Sequence, residues 1–373
     1  SKVSSVIAEI NNFNQLEIIA IAECKCFGMK KTKITDEDEI ASAIGKTISE
    51  VEAQGNIKIN SAYVTIPGKY VQIVQNSIVK EARDKFAGIT SKDINSAMLQ
   101  LRDIDLPDDK VVIDLIKNQF ILDNGRTVED PVGALSSTVT VTGQVILADK
   151  DYVRQLTSIF KKANIEIDGI IPNVLAERSL ILDVNEMNDN VMILDIGAGN
   201  TDIGVFNGSN FVYANTIPLG GDNITNDIAQ VFYISEEEAD RLKKQYALAL
   251  KSFIDNDTDI MLTTYKGDER NKVIKSSELI EVIEARIEEI FSLVNKQITS
   301  LGIKSNINNV ILTGQGITCI SKSDVAGKIV LNIPVKIATG RMISTVKPAY
   351  RSSYALVRYV SSRPYAKNVA SKI

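Results

Sequence analysis

Histidine is absent from all 373 residues, and that absence removes serine–histidine triads, cysteine–histidine dyads and histidine-ligated zinc from consideration. Any chemistry falls to carboxylates, lysines, hydroxyls or a bound metal. Cysteine is scarce: only Cys24, Cys26 and Cys319 are present. Cys24 and Cys26 alternate as residues of one strand face do, and all three read as small apolar fillers of a reduced cytosolic protein rather than a disulfide or metal set. No stretch approaches the roughly 20 apolar residues that a membrane span requires, and no signal-peptide pattern is visible. Basic residues never gather into a block. The formal net charge of −5 is a mild acidic excess that argues against nucleic acid as a partner. The length exceeds the roughly 250–300 residues at which a single core stops growing, so two or more lobes are expected.

What is present is patterned. SKVSSVIAEI and LEIIAIAECKCFG, joined by polar NNFNQ, predict a hairpin entering a sheet. Helical spacing follows at Ile40, Ala43, Ile44, Ile48 and Val51, with acids in the first turn and Gly55 after the end, and SAYVTIPG is a short strand. After Pro67-Gly68 the character changes. Strand-like YVQIVQNSIVKEA, a capped helical TSKDINSAMLQLRDI and strand-rich KVVIDLIKNQFILDNGRTVEDPVG and SSTVTVTGQVILAD predict a small α+β insertion over 69–148. The first lobe resumes at Lys150 with amphipathic helices in KDYVRQLTSIFKKANI and PNVLAERSLILDVN. VMILDIG, TDIGVFNG and NFVYANTIPLGG then form a meander that opens a second lobe, with Asn207-Gly208-Ser209-Asn210 as its second turn. Helical DNITNDIAQVF, charged helical SEEEADRLKKQYALAL and polar DNDTDIMLTTYKGDERNKV come next. The strongest helix covers 278–298, with Leu279, Ile283, Ile287, Ile290, Val294 and Ile298 on one face. NNVILTGQGI is a buried strand ending in a glycine turn, and PVKIATG and a helix from about Ser352 close the chain.

Three glycine turns carry the chemistry. A carboxylate at the end of a buried strand costs free energy unless it meets a cation, donors or water in a cleft, and Asp195 in ILDIG is that case. Gly197 and Gly199 allow positive φ or a close approach, so backbone N–H groups of 197–201 can face a phosphate, with Asn200 and Thr201 adding side-chain donors. Asp195 and Asp202 can hold Mg²⁺ through water; a glycine hairpin with solvated aspartates is the alternative. Gly220-Gly221 precedes a helix whose N-terminus presents N–H groups to an anion, or is simply capped by Asp222 or Asn223. In VILTGQGITCI a buried strand breaks at Gly314 and Gly316, which admits an aromatic ring against the backbone or makes a tight turn with no ligand. Ligands of open α/β sheets gather at strand ends, so the three turns can converge on one nucleotide. AIGKT at 43–47 lacks the first glycine of a P-loop and sits in a helical pattern, which excludes it as a phosphate loop.

LDIGAGNTD resembles the second phosphate motif of the actin, Hsp70 and sugar-kinase ATPases, LGGDNITNDIA the segment that follows it, and VILTGQGI the adenosine motif. AYVTIPG, the insertion ending DPVG…VTVTGQVILADKDYV, EVIEARIEEIFSLV and ISTVKPAYRSSYALVRY are similar to the bacterial cell-division FtsA family, or to its relative, the PilM family of pilus assembly. The resemblance covers essentially the whole chain. It implies an α/β, actin-like two-lobed ATP-binding fold with ribonuclease H-like cores and an SHS2-type insertion. In that scheme 1–68, 149–190 and 343–373 form subdomain 1A, 69–148 the inserted 1C, 191–232 and 303–342 subdomain 2A, and 233–302 subdomain 2B.

The resemblance further implies ATP with Mg²⁺ between the lobes. Gly197, Ala198, Gly199, Asn200, Thr201, Gly220 and Gly221 would contact phosphates, Asp195 and Asp202 the metal through water, and Gly314, Gln315 and Gly316 the adenine. Glu284 is assigned to the ribose hydroxyls and Arg286 to the adenosine side, although roughly 200° of helix separates them, so both do not reach one ribose. Ser1 and Lys2 stand in the middle of the first phosphate motif, so upstream residues are expected. Gln315 replaces a common family glycine, which narrows the base pocket. Near IIPNVLAE, where many of these ATPases hold a water-orienting Glu or Gln, Pro172-Asn173 is followed by no acid until Glu177. The expectation is ATP binding with weak or no hydrolysis, and no catalytic residue is assigned.

A member of this family is expected to polymerise head to tail, with the insertion of one subunit against the next. It would receive the C-terminal peptide of FtsZ at 233–302, with Glu288 and Lys296 as candidate contacts, and bind other divisome proteins. Its place would be the inner face of the membrane at the division site, reached through an amphipathic C-terminal helix not present in this chain. VRYVSSRPYAKNVASKI, with Pro364, is a poor apolar face. A pilus-assembly adaptor binding a pilus partner's peptide, and an ATP-hydrolysing chaperone or kinase of the same superfamily, are the alternatives.

Overall fold

The computed structural model describes residues 2–13, 15–83, 88–182, 186–262, 272–338 and 350–363. Ser1, the end of PVKIATG, part of the polar stretch after Leu262 and most of the closing VRYVSSRPYAKNVASKI lie outside them. The opening hairpin forms as its pattern predicts, Lys2–Ile10 pairing antiparallel with Leu16–Lys25. Asp36 caps the helix Glu37–Gly55, its carboxylate accepting from the Asp38 and Glu39 N–H groups at 3.0 Å each. Gly55 is the last helical residue rather than the one after it, and Asn56 makes the left-handed exit at φ 49°.

Strand Ser61–Ile66 does not join the hairpin. It pairs in parallel with Glu166–Pro172, a strand that the sequence pattern leaves unmarked. Val3, Ser5 and Ile7 of the hairpin and Ser61, Tyr63 and Thr65 of the parallel pair line one continuous slot. Helices Lys150–Lys162, Asn173–Ile181 and Arg351–Ser361 pack around these strands over a core that includes Ile66, Tyr152, Ile170, Val174 and Ala355.

The insertion is an antiparallel sheet ordered Val71–Glu81, Thr138–Asp149, Lys110–Leu122, Thr127–Val128. Helix Ser91–Leu101 lies on it, opened by a reciprocal cap between Thr90 and Asp93. Ile89, Ile94, Ala97, Phe120, Val139 and Val141 fill the space between. Besides the packing of Ile113, Ile146 and Ala148 into the first lobe's core, two buried polar contacts fix the insertion to the rest. Gln144 exchanges hydrogen bonds with the backbone of Phe211. Asp114 pairs with Arg363, just past the helix Arg351–Ser361, and accepts from the Tyr359 hydroxyl at 3.5 Å.

The second half is built on a five-stranded sheet ordered Asn210–Ile217, Thr201–Asn207, Asn190–Ile196, Asn309–Thr313, Val335–Ile337. The meander is antiparallel and the last two strands continue it in parallel. All six stripe residues of helix Ser276–Ser300, from Leu279 to Ile298, are fully buried against this sheet's core cluster, each side chain contributing about 2 kcal/mol by leaving water. The polar stretch holds a hairpin, Asp259–Leu262 with Lys272–Lys275, and a further helix, Ser323–Leu331, covers the parallel end. Among the described residues no helix is long and apolar enough to cross a membrane.

Candidate functional site

Between the two halves the slot opens into a cleft, the whole space being about 1350 Å³. Its floor is acidic. Asp195 is the last residue but one of strand Asn190–Ile196, and Asp202 stands directly opposite it in the antiparallel register, which puts both carboxylates on the same face. Asn173, the first residue of helix Asn173–Ile181, donates its side-chain amide to Asp195 at 3.3 Å and to Asp202 at 3.1 Å. The Thr216 hydroxyl donates to Asp202. One turn along the same helix Glu177, 2% exposed, accepts from Ser352 at 3.2 Å and faces Asp195. Burial and then the charge of Asp195 raise the Glu177 carboxyl well above the usual range. Burial likewise raises Asp195, and burial followed by the Asp195 charge pushes Asp202 up to about 6.

The three glycine turns meet here, and they meet each other. Gly316 donates its N–H to the Ile196 carbonyl at 2.8 Å, Gly221 to Gly197 at 2.9 Å and Asp222 to Ala198 at 2.7 Å. A Cβ at Gly316 would overlap the Gly197 oxygen, and one at Gly221 would lie 2.7 Å from the Gly316 Cα. Close backbone packing is thus why side chains are missing at these positions. Of the two alternatives left open for Gly197 and Gly199, positive φ or a close approach, positive φ is not taken at either: of the glycines in these turns only Gly314, at φ 90°, is left-handed. The N-cap of helix Gly221–Phe232 is Gly220 rather than Asp222 or Asn223, with the Asn223 side chain accepting from the Gly220 N–H at 3.0 Å.

Of the expected contacts, Lys2, Asp195, Gly197, Ala198, Asn200, Asp202, Gly221, Gly314, Gln315 and Gly316 line the cleft. Gly199, Thr201 and Gly220 do not; Thr201 is fully buried and its hydroxyl ties down the Leu219 carbonyl at 2.8 Å. Ser1 lies outside the described residues. Glu284 and Arg286 are not brought to the cleft either. Glu284 accepts from the Lys251 N–H at 2.7 Å, and Arg286 is gripped by Asp227 and Glu289. Their helix stands behind Gly221–Phe232, so its outer polar residues meet Asp227 rather than a ligand space.

Sequence reading missed the wall formed by helix Glu236–Gln245. Asp240, Lys243 and Lys244 of this helix line the cleft. Lys243 is 6% exposed, donates to Thr225 at 2.7 Å and to the Gly221 carbonyl at 3.2 Å, and pairs with Asp240 at 3.1 Å. The spacing of Asp240 to both lysines places the three on one helix face, which was the available signal. Cys319 is exposed on the cleft, not a core filler, whereas Cys26 is buried as expected. All three cysteines are free.

Three lining groups have buried polar atoms with no partner among the described residues: Asn200 Oδ1, Glu177 Oε2 and Arg351 Nε. The Glu177 carboxyl lies against Asp195, which leaves an amide acceptor, Asn200 Oδ1, and a cationic donor, Arg351 Nε, and these suit a ligand that carries both a cation and anionic oxygens. Among the described residues no group of three carboxylate or thiol side chains is arranged to hold a metal directly, so a hard cation would be held through water and ligand oxygen.

A family model for the cell division protein FtsA matches residues 192–355. A second, for the SHS2 domain inserted in FtsA, matches residues 68–147. The chain is 29% identical over 359 residues to the cell division protein FtsA of Bacillus subtilis, covering 96% of this chain and 81% of that one. Among solved structures it is similar to the PilM–PilN type IV pilus biogenesis complex, at TM-score 0.60 and 13% identity, covering 97% of this chain and 96% of the other. It is also similar to MreB5 of Spiroplasma citri bound to ADP, at TM-score 0.54 and 14% identity, covering 98% and 91%. At such identities these likenesses speak to fold alone, and the fold is actin-like. The two family models together match more than half of the residues and the relative nearly all of them, and the chain belongs to the FtsA family of bacterial cell-division proteins.

Proposed function

We propose that this chain is a nucleotide-gated filament adaptor, binding ATP with Mg²⁺ in the cleft and joining FtsZ to the membrane at the division site. The observation that carries the reading is the meeting of three glycine turns around unpartnered buried polar atoms at the mouth of an acidic floor. The 198–200 backbone would take the phosphates, with Gly220 and Gly221 holding that turn in place, since the Gly221 and Asp222 N–H groups are spent on the Gly197 and Ala198 carbonyls. Gln315 and Gly316 on one side and Asp240, Lys243 and Lys244 on the other would frame the nucleoside. Mg²⁺ fits the all-oxygen donor set of Asp195 and Asp202 through water, and when bound it would offset the phosphate charge above these carboxylates. Weak or no hydrolysis is part of this reading: helix Asn173–Ile181 begins Pro172-Asn173, and its one acid, Glu177, sits buried against Asp195 and Ser352 rather than open to water.

Nucleotide then acts through binding energy, favouring the subunit shape that assembles head to tail, with 69–148 of one copy against the next. Residues 233–302, as subdomain 2B, would receive the FtsZ C-terminal peptide; other divisome proteins and a membrane-binding C-terminal helix complete the adaptor. The test is a titration of the FtsZ C-terminal peptide against the full-length protein with and without Mg·ATP. Binding that Mg·ATP strengthens is expected, and no binding in either condition overturns the FtsZ part. Steady-state hydrolysis at chaperone-like rates, or phosphoryl transfer to a sugar, overturns the adaptor reading as a whole.

A further inference from the structure

Among the described residues that line the cleft four are cationic, and three are engaged by carboxylates. Lys2 lies 3.4 Å from Glu23, Lys243 lies 3.1 Å from Asp240, and Lys244 pairs with the same Asp240. Arg351 differs. It opens the helix Arg351–Ser361, and its Nη1 makes one long hydrogen bond, 3.4 Å, to the Thr313 hydroxyl. Its buried Nε has no acceptor among the described residues. A guanidinium presents five donors in a rigid fork and does not shed its charge, so among the described residues most of this fork has no acceptor, and its Nε is shielded from water. The position is specific. Thr313 ends the strand that turns at Gly314, a Cβ at Gly314 would overlap Asp195 Oδ1, and the Arg351 charge is felt at Asp195. Arg351 therefore stands where two of the three glycine turns join.

We infer that Arg351 is a phosphate-contacting residue of this cleft, its fork taking phosphate oxygens at the junction of the Asp195 and Gly314 turns. The inference rests on the nucleotide reading above and adds a residue that no glycine motif marks. Its physical basis is a shortage of positive charge on the floor. Asp195 and Asp202 would oppose a polyphosphate there, while Lys243 and Lys244 sit on the wall with Asp240. Charge-assisted, two-pronged bonds from an arginine answer that need and also complete the donors that Thr313 leaves unpaired.

The experiment compares dissociation constants of ATP, ADP, adenosine and inorganic tripolyphosphate, in Mg²⁺, for the parent protein, Arg351→Gln and Arg351→Lys. Arg351→Gln is expected to weaken ATP and tripolyphosphate by about tenfold or more, ADP by less, and adenosine not at all. Arg351→Lys should fall between, since it keeps the charge and loses the fork. Equal weakening of ATP and adenosine, or no change in either, overturns the inference and leaves Arg351 as a steadying counter-charge for Asp195. A parent protein that binds none of the four probes overturns the nucleotide reading, and the inference with it. Should Arg351→Gln not fold, as judged by its melting transition, the ratio of ATP to adenosine affinity in Arg351→Lys decides.

Discussion

Gln144 and Phe211 hold each other through a closed pair of hydrogen bonds: the Gln144 amide donates to the Phe211 carbonyl at 2.6 Å, and the Phe211 N–H donates to Gln144 Oε1 at 2.9 Å. Both residues are fully buried, and the pair joins a central strand of the insertion, Thr138–Asp149, to the edge of the five-stranded sheet. Gln144→Leu keeps the bulk and strands two backbone groups away from water, which costs about 2–4 kcal/mol. The midpoint of urea unfolding should fall accordingly. An unchanged midpoint would show that another contact fixes the insertion.

Two alanine substitutions separate the packing role of the glycine turns from a general need for flexibility. At Gly199 an added methyl group meets nothing within 4 Å, whereas at Gly316 it overlaps the Gly197 carbonyl. Gly199→Ala should leave the melting temperature within a degree or so, and Gly316→Ala should destabilise by about 1–3 kcal/mol and weaken ATP binding. Equal effects in the two variants would refute the loop-on-loop explanation.

The acidic floor predicts a pH dependence of a definite sign. Asp202 is pushed up to about 6, against about 3.9 in an unfolded chain. Between those values the folded protein keeps a proton that the unfolded chain releases, so this group's contribution to stability falls as pH rises from about 4 to about 6 and is not recovered above. Asp202→Asn should match the parent near pH 4 and exceed it near pH 7. Chemical denaturation in metal-free buffer at constant ionic strength measures the difference, and parallel pH profiles would contradict it.

Nucleotide titrations test the floor and the ribose assignment of Glu284 together. Asp195→Ala should weaken Mg·ATP by about tenfold or more, with less effect when Mg²⁺ is withheld. Glu284→Ala, which removes a carboxylate bound to Lys251 and outside the cleft, should leave ATP affinity unchanged. A loss in that variant would return Glu284 to the nucleotide site.

Local signals carried well from sequence to structure. Asp36 and Thr90 cap their helices because a short acceptor side chain before an apolar period does so wherever it occurs. The six-residue stripe of Ser276–Ser300 is buried because only one face of a helix can meet the sheet. The losses were tertiary. EIDGIIP gives no alternation, and its parallel partner is about a hundred residues away. The hairpin at Asp259–Leu262 hides in polar composition because only Ile260, Leu262 and Ile274 face inward. Helix Ser323–Leu331 has no capping side chain, since Lys322 precedes it in a left-handed turn at φ 63°.

The site divides along the same line. Asp195 was legible because a charge at the end of a buried strand demands an explanation. Helix periodicity told how Glu284 and Arg286 are rotated relative to each other but not which neighbour they meet, and the neighbour is Asp227. Lys243 gave only the weak cue of its spacing from Asp240, since a lysine in a charged helix is ordinarily solvated; only the fold carries it to the Gly221 carbonyl.

The last described helix has a mechanical meaning. Arg351–Ser361 is 11 residues long, about 16 Å of rod that resists stretching along its axis. One end touches Thr313 at the cleft; just beyond the other, Arg363 grips Asp114 and the Leu115 carbonyl in the insertion. The two attachments form a strut, so tension arriving at Arg363 is shared between the cleft and the insertion's sheet rather than absorbed in a loose tail. A pull on this end of the chain and a ligand at the other end of the strut act on the same rigid body.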